Sequence, residues 1–401
     1  MTFWDLLQPD RGIGYLPCSQ YDRGMIRWAG WIAAIAVLVS AWVWGQETSQ
    51  RSGPWVMERS GTTAALRGVH AVGGGVTWAS GANGTVLRTE DGGYEWQSCS
   101  VPEGAEALDF RGVWAWDANT AIVMSSGPGD QSRMYRTMDG CSHWTLVATN
   151  HEKSGFWDAM VFASKEVGYL LGDPVKGAFV LMRTADGGVT WTKIESPGLA
   201  TGSLDIAAFA GSNTALSDGG PMVNALLAGD GRVWFGTGGV GGTFLYEGAS
   251  NCARDGDVPP DPACLNNWTF HRQLLPMAGN SPSAGAFSLR VVWWDEAVKA
   301  AVAVGGDFAK PDQTDGTAAW SSDGVRWNSS ATPPHGYRSA VAWDADINAW
   351  IAVGTNGSDV SWSGGKVWKA LDDGSWNALS LPWVVGPGGR IGKINLDELK
   401  K

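Results

Sequence analysis

Three stretches decide the reading of this chain: Arg88–Trp96 (RTEDGGYEW), Arg136–Trp144 (RTMDGCSHW) and Arg183–Trp191 (RTADGGVTW). Their acidic residues, Asp91, Asp139 and Asp186, stand 48 and 47 residues apart. A period in the forties, with alternating apolar runs between the copies, is the signature of a sheet repeated around an axis, the blade of a β-propeller. A shorter copy follows at Ser321–Trp327 (SSDGVRW) with Asp323, and Ser361–Trp368 (SWSGGKVW) keeps the frame with Ser in the acidic position.

Each copy spells a turn. The Asp carboxylate accepts backbone N–H groups, the glycines take positive φ, and the closing Trp (Trp96, Trp144, Trp191, Trp327) begins the outer strand and packs inward. One or two carboxylates per copy fall far short of the six to eight oxygens of a calcium site, so these residues read as structural and no metal is expected. Five dispersed histidines and the lack of a CxxC pair point the same way.

Composition fits this reading. The 401 residues include 56 glycines, about twice ordinary usage, without the Gly-X-Y period of collagen. The 25 tryptophans outnumber the 11 Phe and 7 Tyr together, so indole rings supply much of the packing. A hydrophobic content of 44% excludes a disordered chain. The net charge of −11 argues against a nucleic-acid partner. No glycine-rich loop has the GxxxxGK[ST] or strand-then-helix GxGxxG context, so no nucleotide or other cofactor is expected.

Aligned on their first strands, the repeats begin at Leu66, Phe110, Trp157, about Leu204, Leu289, Tyr337 and Trp376, which makes seven blades. The fourth lacks the turn and carries a Pro/Asp-rich insert between Cys252 and Cys264, which read as a disulfide stapling that loop. The seventh has three strands, and Pro54–Ser60 supplies the fourth, closing a ring over 54–396 without an open edge and leaving a tail at 397–401. Cys99 and Cys141, at similar places in successive repeats, are candidates for a second bridge.

Before the ring, Met25–Gly45 carries one charge, Arg27, and as a helix would span about 31 Å, enough for a membrane. Arg23 and Arg27 precede it and Glu47 follows. The positive-inside rule then makes 1–24 cytoplasmic, 25–45 a single transmembrane anchor, 46–53 a linker and the propeller extracytoplasmic, in the periplasm. A cleaved signal peptide is the rival reading, disfavoured by the bulky Trp42 and Trp44 at its exit; Met25 as the true start is a third.

The turn Ser/Thr-x-Asp-x-Gly-x-x-Trp resembles the Asp-box, or BNR repeat, of sialidases and sortilin-type receptors. The wider chain, from Pro54 to about Ile394, is similar to the photosystem II stability/assembly factor family and its relatives in non-photosynthetic bacteria. The residues that carry this are RTADGGVTW, Gly172–Gly177 (GDPVKG), Val233–Gly239 (VWFGTGG), HGYRSAVAWD, WIAVGTNGSDVS and WNALSLPWVVGPGGRIGKI. The resemblance implies a seven-bladed, extracytoplasmic, non-catalytic assembly or interaction protein that meets its client through an arginine-rich surface.

First strands line the central channel of a propeller. Equivalent positions at its mouth read Arg67, Arg111, Asp158, an uncertain Asp205, Arg290, Arg338 and Asn377, a ring able to hold an anionic group or acidic peptide terminus. The competing reading is that these charges pair, Arg111 with Asp158 for instance, and merely close the channel. The same face carries the loops with Asp173 and Lys176, and with Asp307, Lys310 and Asp312. Three functions follow: a membrane-tethered factor with a protein client in an envelope or membrane complex; a sialidase-like glycosidase using Tyr337 beside Arg338; or a carbohydrate-binding module using exposed Trp. The first is expected. No Phe/Tyr-Arg-Ile-Pro precedes the first turn, no Glu occupies the ring, and the Trp residues sit at packing positions.

Overall fold

Short strands separated by glycine-rich turns assemble into seven antiparallel sheets in this computed structural model, which describes residues 53–218, 231–251, 267–294 and 297–399. Their inner strands are Leu66–Gly73, Phe110–Ala115, Trp157–Phe162, Leu216–Asp218, Ser281–Trp294, Ala340–Asp344 and Ala378–Ser380. Each inner strand contacts the next, and the seventh contacts the first, so the sheets form the seven blades of a closed propeller. Trp55–Glu58 pairs with Ile391–Ile394 as the outermost strand of blade seven, joining both ends of the ring in one sheet.

Apolar side chains from facing sheets fill the spaces between blades. Trp78, Trp350 and Trp376 are fully buried, and Trp96 packs edge-on against Trp383 of the neighbouring blade at 5.3 Å. The tryptophan surplus is therefore largely packing between sheets.

The repeated turn joins the third and outer strands. In blade one Thr89 Oγ1 donates to Asp91 Oδ1 at 2.8 Å and accepts from Gly93 N at 3.0 Å, while Asp91 Oδ1 accepts from Glu95 N at 3.0 Å. The same pattern recurs with Thr137 and Asp139, Thr184 and Asp186, and Ser321 and Asp323. Ser363 substitutes for the carboxylate in blade six by accepting from Val367 N at 2.8 Å. These bonds favour the ionised carboxylate: the N–H of His143 and its ring hold Asp139 down at about 2, and the N–H of Glu95 lowers Asp91. Among the described residues no group of three His, Cys, Asp or Glu could hold a metal ion.

Several expectations are corrected. The fourth inner strand is Leu216–Asp218, twelve residues after Leu204, because Ile206–Thr214 leaves the blade to cross the channel. Blades six and seven begin their inner strands at Ala340 and Ala378, just after Tyr337 and Trp376. Leu396–Leu399 forms a helical turn whose Leu399 is buried, so the described part of the tail at 397–401 belongs to the fold. Cys99 and Cys141 are disulfide-bonded, yet they are not equivalent: Cys99 follows its turn whereas Cys141 lies within the next one, at the position of Gly93, with φ +67°. The bridge ties blade one to blade two. Cys252, Cys264 and the segment 25–45 lie outside the described residues, among which no helix is long and apolar enough to cross a membrane.

Candidate functional site

The residues that reach the channel mouth do so by one backbone device. Pairing shifts by one residue between Leu66 and Gly68, between Phe110 and Gly112, and between Trp157 and Ala159, so Arg67, Arg111 and Asp158 are each the extra residue of a β-bulge. A bulge turns the side chain away from the alternating pattern of the strand. In blade five the shift falls between Ala286 and Ser288, which makes Phe287, not Arg290, the equivalent residue. In blades six and seven the equivalents are Ser339 and Asn377, each preceding the first ladder residue and donating its N–H back to the second strand.

Two ring candidates are thereby displaced. Arg338 takes the place of Leu66, Phe110, Trp157 and Trp376, facing into its blade with no exposed surface. It survives there because Asp359 accepts from its Nε at 2.6 Å, Asn356 Oδ1 from Nη1 at 2.7 Å, and Tyr337 O from Nη1 at 2.6 Å. Burial lowers its pKa and Asp359 opposes that shift. Arg290 lies three residues beyond Phe287, further along the channel, half exposed and 3.9 Å from Asp218. The expected start at Leu289 is corrected: the inner strand of blade five begins at Ser281, which shifts every position along it.

The channel itself is interrupted. Ile206–Thr214 (IAAFAGSNT) carries small residues in place of strand alternation and spans the axis on bonds to blades on several sides. Ala208 N donates to Asp173 Oδ1 at 3.0 Å, Ala210 O accepts from Arg111 Nη1 at 3.4 Å, and Met160 N donates to Asn213 Oδ1 at 2.7 Å. Ser212 Oγ donates to Ser339 O at 2.6 Å, and Leu289 N donates to Thr214 O at 3.0 Å. Blades two, three, five and six thus hold one plug. Asp205 stands at its foot with its carbonyl accepting from Gly241 N, rather than on an inner strand.

Above the plug the charges are unequal. Arg111 pairs with Asp109 at 2.8 Å instead of with Asp158. Arg67 is half-buried, its Nε has no partner among the described residues, and its pKa is lowered first by burial and then by Arg111. Asp158 is 1% exposed, and its Oδ2 has no partner among the described residues; burial and then Asp173 push its carboxyl well up. Burial likewise raises Asp173 to about 6. Burial holds Asp158 toward its neutral form and Asp109 is engaged by Arg111, which leaves Arg67 the less compensated of the two arginines in a protein that is acidic overall.

Aromatic residues make the opposite wall. Phe209 from the plug stacks on Phe287 at 3.9 Å, Tyr337 meets Phe287 edge-on at 4.8 Å, and Phe308, 51% exposed, lies 5.9 Å from Phe287. Burial pushes the Tyr337 phenol up, with Arg67 and Arg111 opposing, which is the wrong direction for a nucleophile. Asn377 donates from Nδ2 to Leu66 O at 2.8 Å and is structural. The loop charges are also engaged: Lys176 with Glu152 at 3.3 Å, Lys310 with Asp307 at 3.6 Å, and Asp312 with Asn356 at 3.1 Å. The sequence reading missed Asp109, the plug and the wall of Phe209, Phe287 and Phe308. The run AAFAGSNT, which has no strand period, was the visible signal.

No protein-family model and no curated protein matches the sequence. Among solved structures, the chain is similar to YCF48 from Cyanidioschyzon merolae, with TM-score 0.54 and 17% identity over 86% of this chain and 99% of the other. It is similar to YCF48 bound to D1 peptide, with TM-score 0.51 and 15% identity over 85% and 96%. The Sqt1 structure of Saccharomyces cerevisiae matches with TM-score 0.51 and 8% identity over 83% and 82%. These likenesses show the fold.

Proposed function

We propose that this protein is a non-catalytic interaction factor that holds an acidic segment or carboxylate terminus of a client protein at the Arg67–Arg111 mouth. The observation that carries this is half-buried Arg67, whose Nε has no partner among the described residues, beside an Arg111 held by Asp109, while burial pushes the nearby Asp158 carboxyl up and away from its charged form. A guanidinium with free donors in a partly desolvated mouth recognises a carboxylate strongly, and the exposed Phe308 ring offers an apolar residue a place to pack.

Membership of the photosystem II stability/assembly factor-like family, with Asp-box turns, is part of this reading. It is supported by the motifs from Pro54 to Ile394 and by the likeness to YCF48, whose structure with D1 peptide is a propeller holding a peptide. We further propose that 25–45 anchors the propeller on the extracytoplasmic side and that the client is an envelope or membrane complex. The Cys99–Cys141 disulfide supports an oxidising compartment.

The test is crosslinking of the full chain in native membranes, comparing wild type with Arg67→Glu/Arg111→Glu. The reading predicts a client recovered by wild type and lost from the charge-reversed variant; equal recovery of the same client overturns it.

A further inference from the structure

We propose that the other end of the plugged channel is a separate site for a small organic carboxylate. Gly92 N donates to Gly75 O, so the repeated turns and inner hairpins share one face, opposite the Arg67–Arg111 mouth. On that side a cavity of about 320 Å³ lies within the ring, at the lower end of the ~300–1,000 Å³ typical of small-molecule sites. All seven blades contribute to its wall, and Ser212–Thr214 of the plug also line it.

Its polar atoms are sorted by kind. The Ser380 hydroxyl accepts from Ala71 N at 3.0 Å, and those of Ser212 and Thr214 are spent on each other, on Ser339 O and on Ser288. His70 Nδ1 accepts from Ala115 N at 3.2 Å, which puts the ring proton on Nε2. Burial holds His70 down at about 4, so at neutral pH it is an uncharged donor. Asn213 Oδ1 is taken by Met160 N, which turns the other end of the amide, its NH2, into the available donor. No hydrogen bond among the described residues engages either His70 Nε2 or that NH2. Arg290 supplies the cation, held only loosely by Asp218 at 3.9 Å.

Around these donors stand Trp114, tilted against His70 with ring centres 4.1 Å apart, Trp343 and Val69. One guanidinium, two neutral N–H donors and indole walls fit a single carboxylate on a flat apolar body. They do not fit a cation, which would meet mostly donors.

The test uses the full chain and 4-(trifluoromethyl)benzoate as probe, with 4-(trifluoromethyl)benzyl alcohol as the uncharged control, followed by ligand-observed fluorine NMR. Wild type should bind the benzoate about tenfold more tightly than the alcohol, the preference a charge-assisted hydrogen bond gives. Arg290→Gln, at a half-exposed position, should remove that preference with an unchanged melting temperature. His70→Phe, which keeps the ring on Trp114, should weaken the benzoate alone. A wild type that fails to bind the benzoate, or an Arg290→Gln variant that keeps the full preference, overturns the proposal. Arg67→Glu/Arg111→Glu should leave benzoate binding intact, so this site and the client mouth fail independently.

Discussion

At the scale of single residues, the channel separates charges that look alike in sequence. Arg338 and Arg290 were both read as mouth residues, yet one is an internal brace and the other a half-exposed side chain further along the channel. Arg338→Ala would leave buried Asp359 with only His335 and would strip Asn356 Oδ1 and Tyr337 O of their donor, and should cost about 3–5 kcal/mol in urea unfolding, whereas Arg290→Gln should stay within about 0.5 kcal/mol. Asp173 gives a signed pH prediction. Its folded pKa, about 6, exceeds its unfolded value near 3.8, so the ionised group penalises the fold at neutral pH and the penalty fades as pH falls from about 6 to below 4. Asp173→Asn keeps an acceptor for Ala208 N, so it should raise stability at pH 7.5 by on the order of 1–3 kcal/mol, with no gain left at pH 3.5. His70 acts in the opposite sense. Its folded pKa of about 4 lies below the unfolded 6.5, so its contribution is complete above pH 6.5 and lost as pH falls toward 4. Thermal scans of Asp173→Asn and His70→Gln across that range separate the two. Which arginine faces the axis was not legible in the sequence, because a one-residue bulge decides it and leaves no mark on a hydrophobic pattern.

At the scale of elements, the repeated turn was legible because its chemistry is local. Thr89 and Asp91 saturate the turn's own N–H groups, so the same residues recur wherever the same backbone recurs. The closing strand at Trp55–Glu58 was visible for a similar reason, since an incomplete last blade needs a partner. The break in strand period at the plug was visible, but its path was not. Ile206–Thr214 owes its path to bonds from Arg111, Met160, Asp173 and Leu289, which come from distant parts of the chain. The disulfide lies between these cases: a pairing was guessable, but the turn position of Cys141 was not. It closes a separation of 42 residues between blades one and two. Cys141→Ser should therefore lower stability by about 2–4 kcal/mol, and reduction of wild type by dithiothreitol should match it. A melting temperature unmoved by both treatments would count against the bridge as a tie between blades.

At the scale of the whole molecule, a ring of seven similar sheets makes a channel whose two ends differ because one blade sends its chain across the middle. One mouth carries Arg67 and the Asp109-paired Arg111 above a buried Asp158, and the other end is a cavity with donors and indole walls. Fold class was written in the 48- and 47-residue spacing of three aspartates; the asymmetry of the channel emerged only with the structure. The central claim is that the client is held at the Arg67–Arg111 mouth. Its most direct test is the affinity of the full chain for the client segment recovered by crosslinking, measured by fluorescence anisotropy at two salt concentrations. Arg67→Gln/Arg111→Gln should weaken binding by at least about tenfold and flatten its salt dependence, while Arg290→Gln should bind as wild type. Equal affinity and equal salt dependence of wild type and the Arg67→Gln/Arg111→Gln variant would contradict the account.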